Sequence, residues 1–251
     1  MKTFLSVSES LNAVELKDVS SKKKVQLNPS VTGGEYITID ANFWLPLAAP
    51  IYNISPSLRD YVMVPVPIMI SDFPNTNGDS VTKSDLLVFN PEYGMPAYKT
   101  FKAKPTHVEH DNHDHTKAKG VILDVYLKPL KGYGGDKHIK MVQLLAFDRT
   151  RDPVLCNNIL EKRISTYSMG MYYTSYTCSV CGHTVSKANQ NNICMHTKLR
   201  KPTYRMDNGK LAYRYCHNIV GFECSAVADP AFAICQSDII LHNGETERMI
   251  L

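Results

Sequence analysis

The chain has 251 residues, 43% of them hydrophobic and 21% charged, which supplies apolar material for one large or two small domains and excludes wholesale disorder. A formal net charge of +4 is too mild to demand a nucleic-acid partner, and the one tight basic run, Lys22-Lys23-Lys24, reads as a solvated loop. No stretch reaches the roughly 18 apolar residues of a membrane helix, and MKTFLSVSES is too short and polar for a secretion signal, so a soluble protein of the cytosol is expected, with its seven cysteines unpaired.

Residues 1–40 are polar and weakly patterned, as in a loosely packed arm with a short strand or two. Residues 41–72 are richer in proline and apolar side chains. Within them YVMVPVPIMI alternates, and its prolines, which cannot donate to a ladder, suit an edge strand. Residues 73–84 read as turns. In GVILDVYL, Val121, Leu123, Val125 and Leu127 share one face, which predicts a half-buried strand. Gly132, Gly134 and Gly135 predict a hairpin loop into a second strand, HIKMVQLLAF. Asp152-Pro153 is an N-cap followed by proline at the first helical position. Val154, Leu155, Ile159 and Leu160 give that helix an apolar stripe to about Arg163. STYSMGMYYTSYT returns to strand character, GKLAYRYCHNIVGFECSAV holds another strand or pair, and DPAFAICQSDIIL suits a short helix packing back. The sum is an α+β fold with a strand-rich core.

Three groups of residues carry chemistry. Cys178 and Cys181 form Cys-x-x-Cys, and Cys194 and His196 follow after 12 intervening residues. Two thiolates at that spacing grip one Zn²⁺ from a tight turn, and Gly182 stands where the turn needs freedom. The polar segment between the pairs has no core of its own, which a metal would supply. With no open position or acidic partner the site reads as structural. His183 is the substitute for the fourth ligand, and Cys156, Cys216, Cys224 and Cys235 read as buried thiols. HVEHDNHDH (107–115) admits a metal site, a catalytic base or an exposed loop. Ser168 lies in TYSMGM, two residues before a strand glycine of the kind that marks a close approach to the backbone. A seryl hydroxyl is a weak nucleophile unless a base, itself oriented by a third group, stands within hydrogen-bond reach.

Taken together and in order, six blocks resemble the prohead (capsid maturation) serine proteases of tailed bacteriophages, large-genome branch, which are related to herpesvirus assemblin. They are YKTFKAKPTHVEHDN, KAKGVILDVYL, LLAFDRTRDPVLCNNI, TYSMGM, the CSVCG…CMH knuckle, and GFECSAVADPAF, spanning about residues 60–238. The resemblance implies a bent β-barrel or sandwich flanked by helices. It places an N-terminal arm of unassigned role at 1–60 and a protease domain at 61–251, with a zinc-knuckle insertion at about 176–200. It implies Ser168 as nucleophile, His110 as base because it directly precedes Asp111-Asn112, and Glu223 as third member, with His107 or Asp111 as other orienting groups. It further implies cleavage of phage scaffold and major capsid proteins inside the assembling prohead, in the host cytoplasm, followed by self-cleavage, with self-association open and no membrane. Relatives often cut after glutamate, for which Arg149, Lys162 and Arg163 are candidate pocket residues, and the glutamates of GETERMIL are candidate self-processing sites.

Two other readings compete. A non-enzymatic virion or nucleic-acid-binding protein would use the knuckle as its module, with Lys187, Lys198, Arg200, Lys201, Tyr204 and Arg205 around it. A metal hydrolase would bind its ion in the 107–115 cluster.

Overall fold

A computed structural model describes residues 41–130, 138–198 and 209–236, and the backbone of the short strands at 23–25, 37–39, 203–204, 240–242 and 245–247. In chain order the first half holds β1 (Lys23–Val25), β2 (Ile37–Ile39), helix α1 (Ala41–Tyr52), β3 (Tyr61–Ile70), β4 (Asp79–Ser80), helix α2 (Lys83–Leu87), β5 (Phe89–Asn90), β6 (Met95–Pro96), β7 (Pro105–Val108), β8 (Gly120–Pro129) and β9 (Ile139–Asp148). The second half holds helix α3 (Pro153–Leu160), β10 (Tyr167–Tyr172), β11 (Ser175–Cys178), β12 (Thr184–Ser186), β13 (Thr203–Tyr204), β14 (Leu211–Ala212), β15 (Arg214–His217), β16 (Val220–Ala226), β17 (Ile240–His242) and β18 (Glu245–Glu247). This is an α+β chain, mostly sheet.

The main sheet has eight strands in the order β10-β16-β7-β8-β9-β3-β17-β18 and curls into a half-barrel. Period-two alternation gives its middle strands two apolar faces. On one face Val62, Val64, Val66, Ile122, Leu145 and Phe147 pack with Leu155, Cys156 and Ile159 of α3. On the other, Met63, Val121, Leu123, Leu144 and Ala146 are covered by Trp44, Leu45 and Ala48 of α1. The β8 strand is therefore buried on both faces rather than half-buried, because a helix the alternation alone does not reveal lies across it. That helix falls inside the segment expected to be an arm. Pro46 and Pro50 disguise it, since each removes an intrahelical donor. Tyr61 and Asp148 tie the segment down: Tyr61 Oη donates to Ser55 O at 2.5 Å, and Asp148 Oδ2 accepts from Ser55 N at 2.6 Å.

Other expectations meet the structure unevenly. The β3 prolines Pro65 and Pro67 lie beyond Val62 and Met63, the residues of β3 that β17 pairs among the described residues. Strands β8 and β9 pair antiparallel; the loop bearing Gly132, Gly134 and Gly135 lies outside the described residues. Asp152 caps α3 through Leu155 N at 2.9 Å, but the helix stops at Leu160 and leaves Val154 exposed. STYSMGMYYTSYT is two strands, β10 and β11, that run in different sheets. The tail is not helical over 229–236: Phe232 and Cys235 pack back from turns, and 240–242 is a strand. Lys23 and Lys24 stand in β1, paired with β2, not in a loop. No helix among the described residues is long and apolar enough to cross a membrane.

A second sheet, β12-β11-β15-β4, branches from the first where β10 passes into β11. Its two ends matter most: β11 and β12 carry the cysteine knuckle, and β4 reaches back toward Ser168.

Candidate active site and metal centre

Three neighbouring strands set up the first site. Ser168 on the edge strand β10 stands opposite Ser225 on β16, and Ser225 stands opposite His107 on β7. Two residues along the same face, Gly170 stands opposite Glu223. Glu223 is 1% exposed and Ser225 0%. Beyond β7 the chain doubles back through Glu109 and His110, both left-handed with φ of 50° and 57°. Two such residues cost roughly 1–2 kcal/mol each. Glu109 offsets this by bonding the strand it folds over: its N–H donates to Ala226 O at 2.9 Å, and its Oε1 accepts from Ala228 N at 2.8 Å. The reversal brings His110 to Glu223, with Nδ1 2.9 Å from Oε1. The other carboxylate oxygen, Oε2, accepts from Ser225 Oγ at 2.6 Å.

Electrostatics follow from these contacts. The hydrogen bond to Glu223 raises His110 above the ordinary histidine value, outweighing its partial burial. His107, 1% exposed, is instead pushed down by burial, and neither of its ring nitrogens has a hydrogen-bond partner among the described residues. Of the three groups the sequence offered to orient His110, the structure brings Glu223 to it; His107 lies on the neighbouring strand and Asp111 is exposed. Ser168, 7% exposed, and His110 line one cavity of about 220 Å³ together with Asn75, Asn77, Asp79, Met169 and Phe232. Arg149, Lys162 and Arg163 do not line it. Arg163 pairs with Glu161 at 2.5 Å.

Gly170 has a specific reason to be glycine. A Cβ there would lie 2.5 Å from Glu223 Oε1 and 2.4 Å from the Phe222 ring. The close approach that a strand glycine implies is made by the acid itself. Ser225 was not singled out by sequence, although Glu223 and Ser225 alternate as polar residues in an otherwise apolar strand, GFECSAV, which is the available signal.

The second site is the knuckle. One ligand atom each from Cys178, Cys181, Cys194 and His196 lie within 4.8 Å of one another, so the cluster could hold a metal ion. Sulfur–zinc bonds of about 2.3 Å in a tetrahedron give edges of roughly 3.8 Å, which that spread accommodates. The backbone N–H of Val180 points at Cys178 Sγ at 3.4 Å, and Gly182, at φ 71°, closes the turn by donating to Cys178 O at 3.0 Å. His196 Nδ1 is buried without a hydrogen-bond partner among the described residues, a polar atom that a metal ion would satisfy. His183, the substitute ligand, is engaged elsewhere, with Nε2 2.7 Å from Asn192 O. Burial pushes the Cys194 thiol up, but hydrogen bonds from Thr197 and the neighbouring cysteines outweigh it and bring it down to about 6, toward the thiolate a metal takes. Cys156, Cys216, Cys224 and Cys235 are buried free thiols, as expected. Among the described residues this is the one group of three or more such ligands, and the 107–115 histidines form none.

No family model, curated protein or solved structure matches this chain.

Proposed function

We propose that the chain is a serine endopeptidase of the prohead-maturation kind, built on an assemblin-like half-barrel, with Ser168, His110 and Glu223 as its catalytic set. The observation that carries this reading is the contact between His110 Nδ1 and Glu223 Oε1, 113 residues apart in sequence, with His110 lining a cavity that Ser168 also lines. A carboxylate that accepts at Nδ1 fixes the histidine tautomer with its proton there. The lone pair is then at Nε2, the atom free to take the Ser168 proton as Oγ attacks a scissile carbonyl. His110, now charged, is stabilised by Glu223 and returns the proton to the leaving amine; water repeats the sequence on the acyl-enzyme. Scaffold and capsid polypeptides are the proposed substrates, on the six ordered blocks alone.

The knuckle, in this reading, takes one structural Zn²⁺ through Cys178, Cys181, Cys194 and His196; bound there, the ion would cross-link a segment with no core of its own. Mass spectrometry of a co-expressed prohead scaffold protein tests the protease. Wild type yields defined fragments, while Ser168→Ala and His110→Ala yield none. Fragments persisting with Ser168→Ala would overturn the proposal.

A further inference from the structure

We infer that Ser225 is a positioning residue of this site: its hydroxyl holds the Glu223 carboxylate so that the other oxygen faces His110. This rests on the proposed reading and goes beyond it, since an acid–base–nucleophile set needs no fourth member. The geometry asks for one. Glu223 projects from an edge-proximal strand with three rotatable bonds, the last of them broad and nearly two-fold. A carboxylate in that position has no intrinsic reason to present one oxygen to His110. Two constraints remove the freedom. Gly170, opposite on β10, leaves a slot into which the carboxylate fits with no room to spare. Ser225, two residues on along the same face, donates Oγ–H to Oε2 at 2.6 Å, a distance typical of a charge-assisted bond.

Burial makes that bond consequential. Ser225 is fully covered, and Glu223 nearly so, so water does not replace the donor when it is removed. His110, in contrast, has 43% of its side chain exposed, and solvent can compete for Nδ1. The exposed partner is therefore held by the buried one, and the buried one by Ser225. The register explains why a serine serves. Ser225 sits directly opposite Ser168, and its short side chain reaches the carboxylate two residues away along its own strand.

The test avoids any need for the natural substrate. A fluorophosphonate–rhodamine probe reports the nucleophilicity of Ser168, and its labelling rate is followed from pH 5 to 9. The imidazole of His110 is titrated in parallel by NMR. Ser225→Ala is expected to slow labelling about ten- to a hundred-fold, the scale set by small misplacements of a catalytic group. The His110 midpoint should fall toward 6.5, because the freed carboxylate no longer faces Nδ1. Ser225→Thr, which keeps the hydroxyl, should stay within about threefold of wild type; if it does not fold, the His110 midpoint measured on Ser225→Ala decides alone. Unchanged rate and midpoint in folded Ser225→Ala would overturn the inference, as would equal impairment by the hydroxyl-preserving variant. Wild-type protein that resists the probe at every pH would sink the protease reading instead. A His110 midpoint that still falls on Ser225→Ala then upholds the positioning contact by itself, and one that does not removes it.

Discussion

At the scale of single residues, Gly170 and Glu223 make opposed demands on one small volume. Gly170→Ala puts a methyl 2.5 Å from the carboxylate oxygen that meets His110, with the Phe222 ring on its other side, so the acid must leave its place. Fluorophosphonate labelling of Ser168 should drop at least about tenfold with the chain still folded by circular dichroism; undiminished labelling would show that the carboxylate is not needed where it stands. The charge of Glu223 is tested separately. His110 is raised in the folded protein, so its pairing adds stability that is fully present below the unfolded value of about 6.5 and is lost as pH rises through the folded value. In the proposed protease, activity would run the other way, because only neutral His110 is a base: the rate should climb as pH passes the raised value. Glu223→Gln removes the charge, so the acidic limb should move to lower pH while the plateau falls by about 10⁴-fold, the scale seen when a triad acid is made an amide. A pH–rate profile with an unmoved acidic limb would contradict the role of Glu223.

Among the elements, β15 joins the two sites. Arg214, buried at the start of this strand, donates Nη2 to Asp79 Oδ1 and to Asn77 O, both at 2.8 Å, and lies 5.7 Å from the Tyr176 ring. It thereby holds the 75–79 turn, closed on itself by Asn75 Oδ1 accepting from Asn77 N and Asp79 N, as one wall of the Ser168 cavity. Breaking a buried pair from one side costs about 3–5 kcal/mol. Arg214→Met should lose that much in urea unfolding, and Arg214→Met with Asp79→Asn less; equal losses would mean the pair itself contributes little. None of this was legible in sequence, because an arginine in AYRYCH carries no sign of a partner 135 residues earlier. What was legible is local. The β8 alternation, the Asp152-Pro153 cap and the Cys-x-x-Cys turn each depend on contacts within a few residues. Helix α1 escaped because Pro46 and Pro50 argue against a helix locally, while Trp44 and Leu45 argue for it only through the sheet they cover. The site divides the same way. The knuckle stands on spacing, whereas Glu223 reaches His110, and Ser168 shares a cavity with His110, through the β10-β16-β7 register and a left-handed turn that spacing does not encode.

For the whole molecule the consequence is a knuckle linked through β15 to the 75–79 wall of the cavity and set apart from the sheet that carries Ser168 and Glu223. Cys178 ends β11 opposite Arg214, and Arg214 stands opposite Asp79 on β4, so one rung runs from the metal cluster to the cavity wall. His110, Ser168 and Glu223 belong to the other sheet and to the turn folded over it. Removing the metal should therefore separate two readouts. Wild-type protein should carry about one zinc per chain, and Cys178→Ser should lose it. After treatment with a chelator, amide exchange should rise across 175–198 and in the 75–79 turn, with the thermal midpoint falling by about 2–4 °C for each kcal/mol of stability lost. Labelling of Ser168 by a small fluorophosphonate should change by less than about threefold, because Ser168, Glu223 and His110 belong to the other sheet and the turn over it. If the proposed protease reading holds, cleavage of a long polypeptide should fall much further, because the 75–79 wall of the cavity has loosened. Labelling that vanishes with the metal would mean that the ion holds the catalytic sheet as well, and exchange confined to 175–198 would mean that the rung through Arg214 transmits nothing to the cavity.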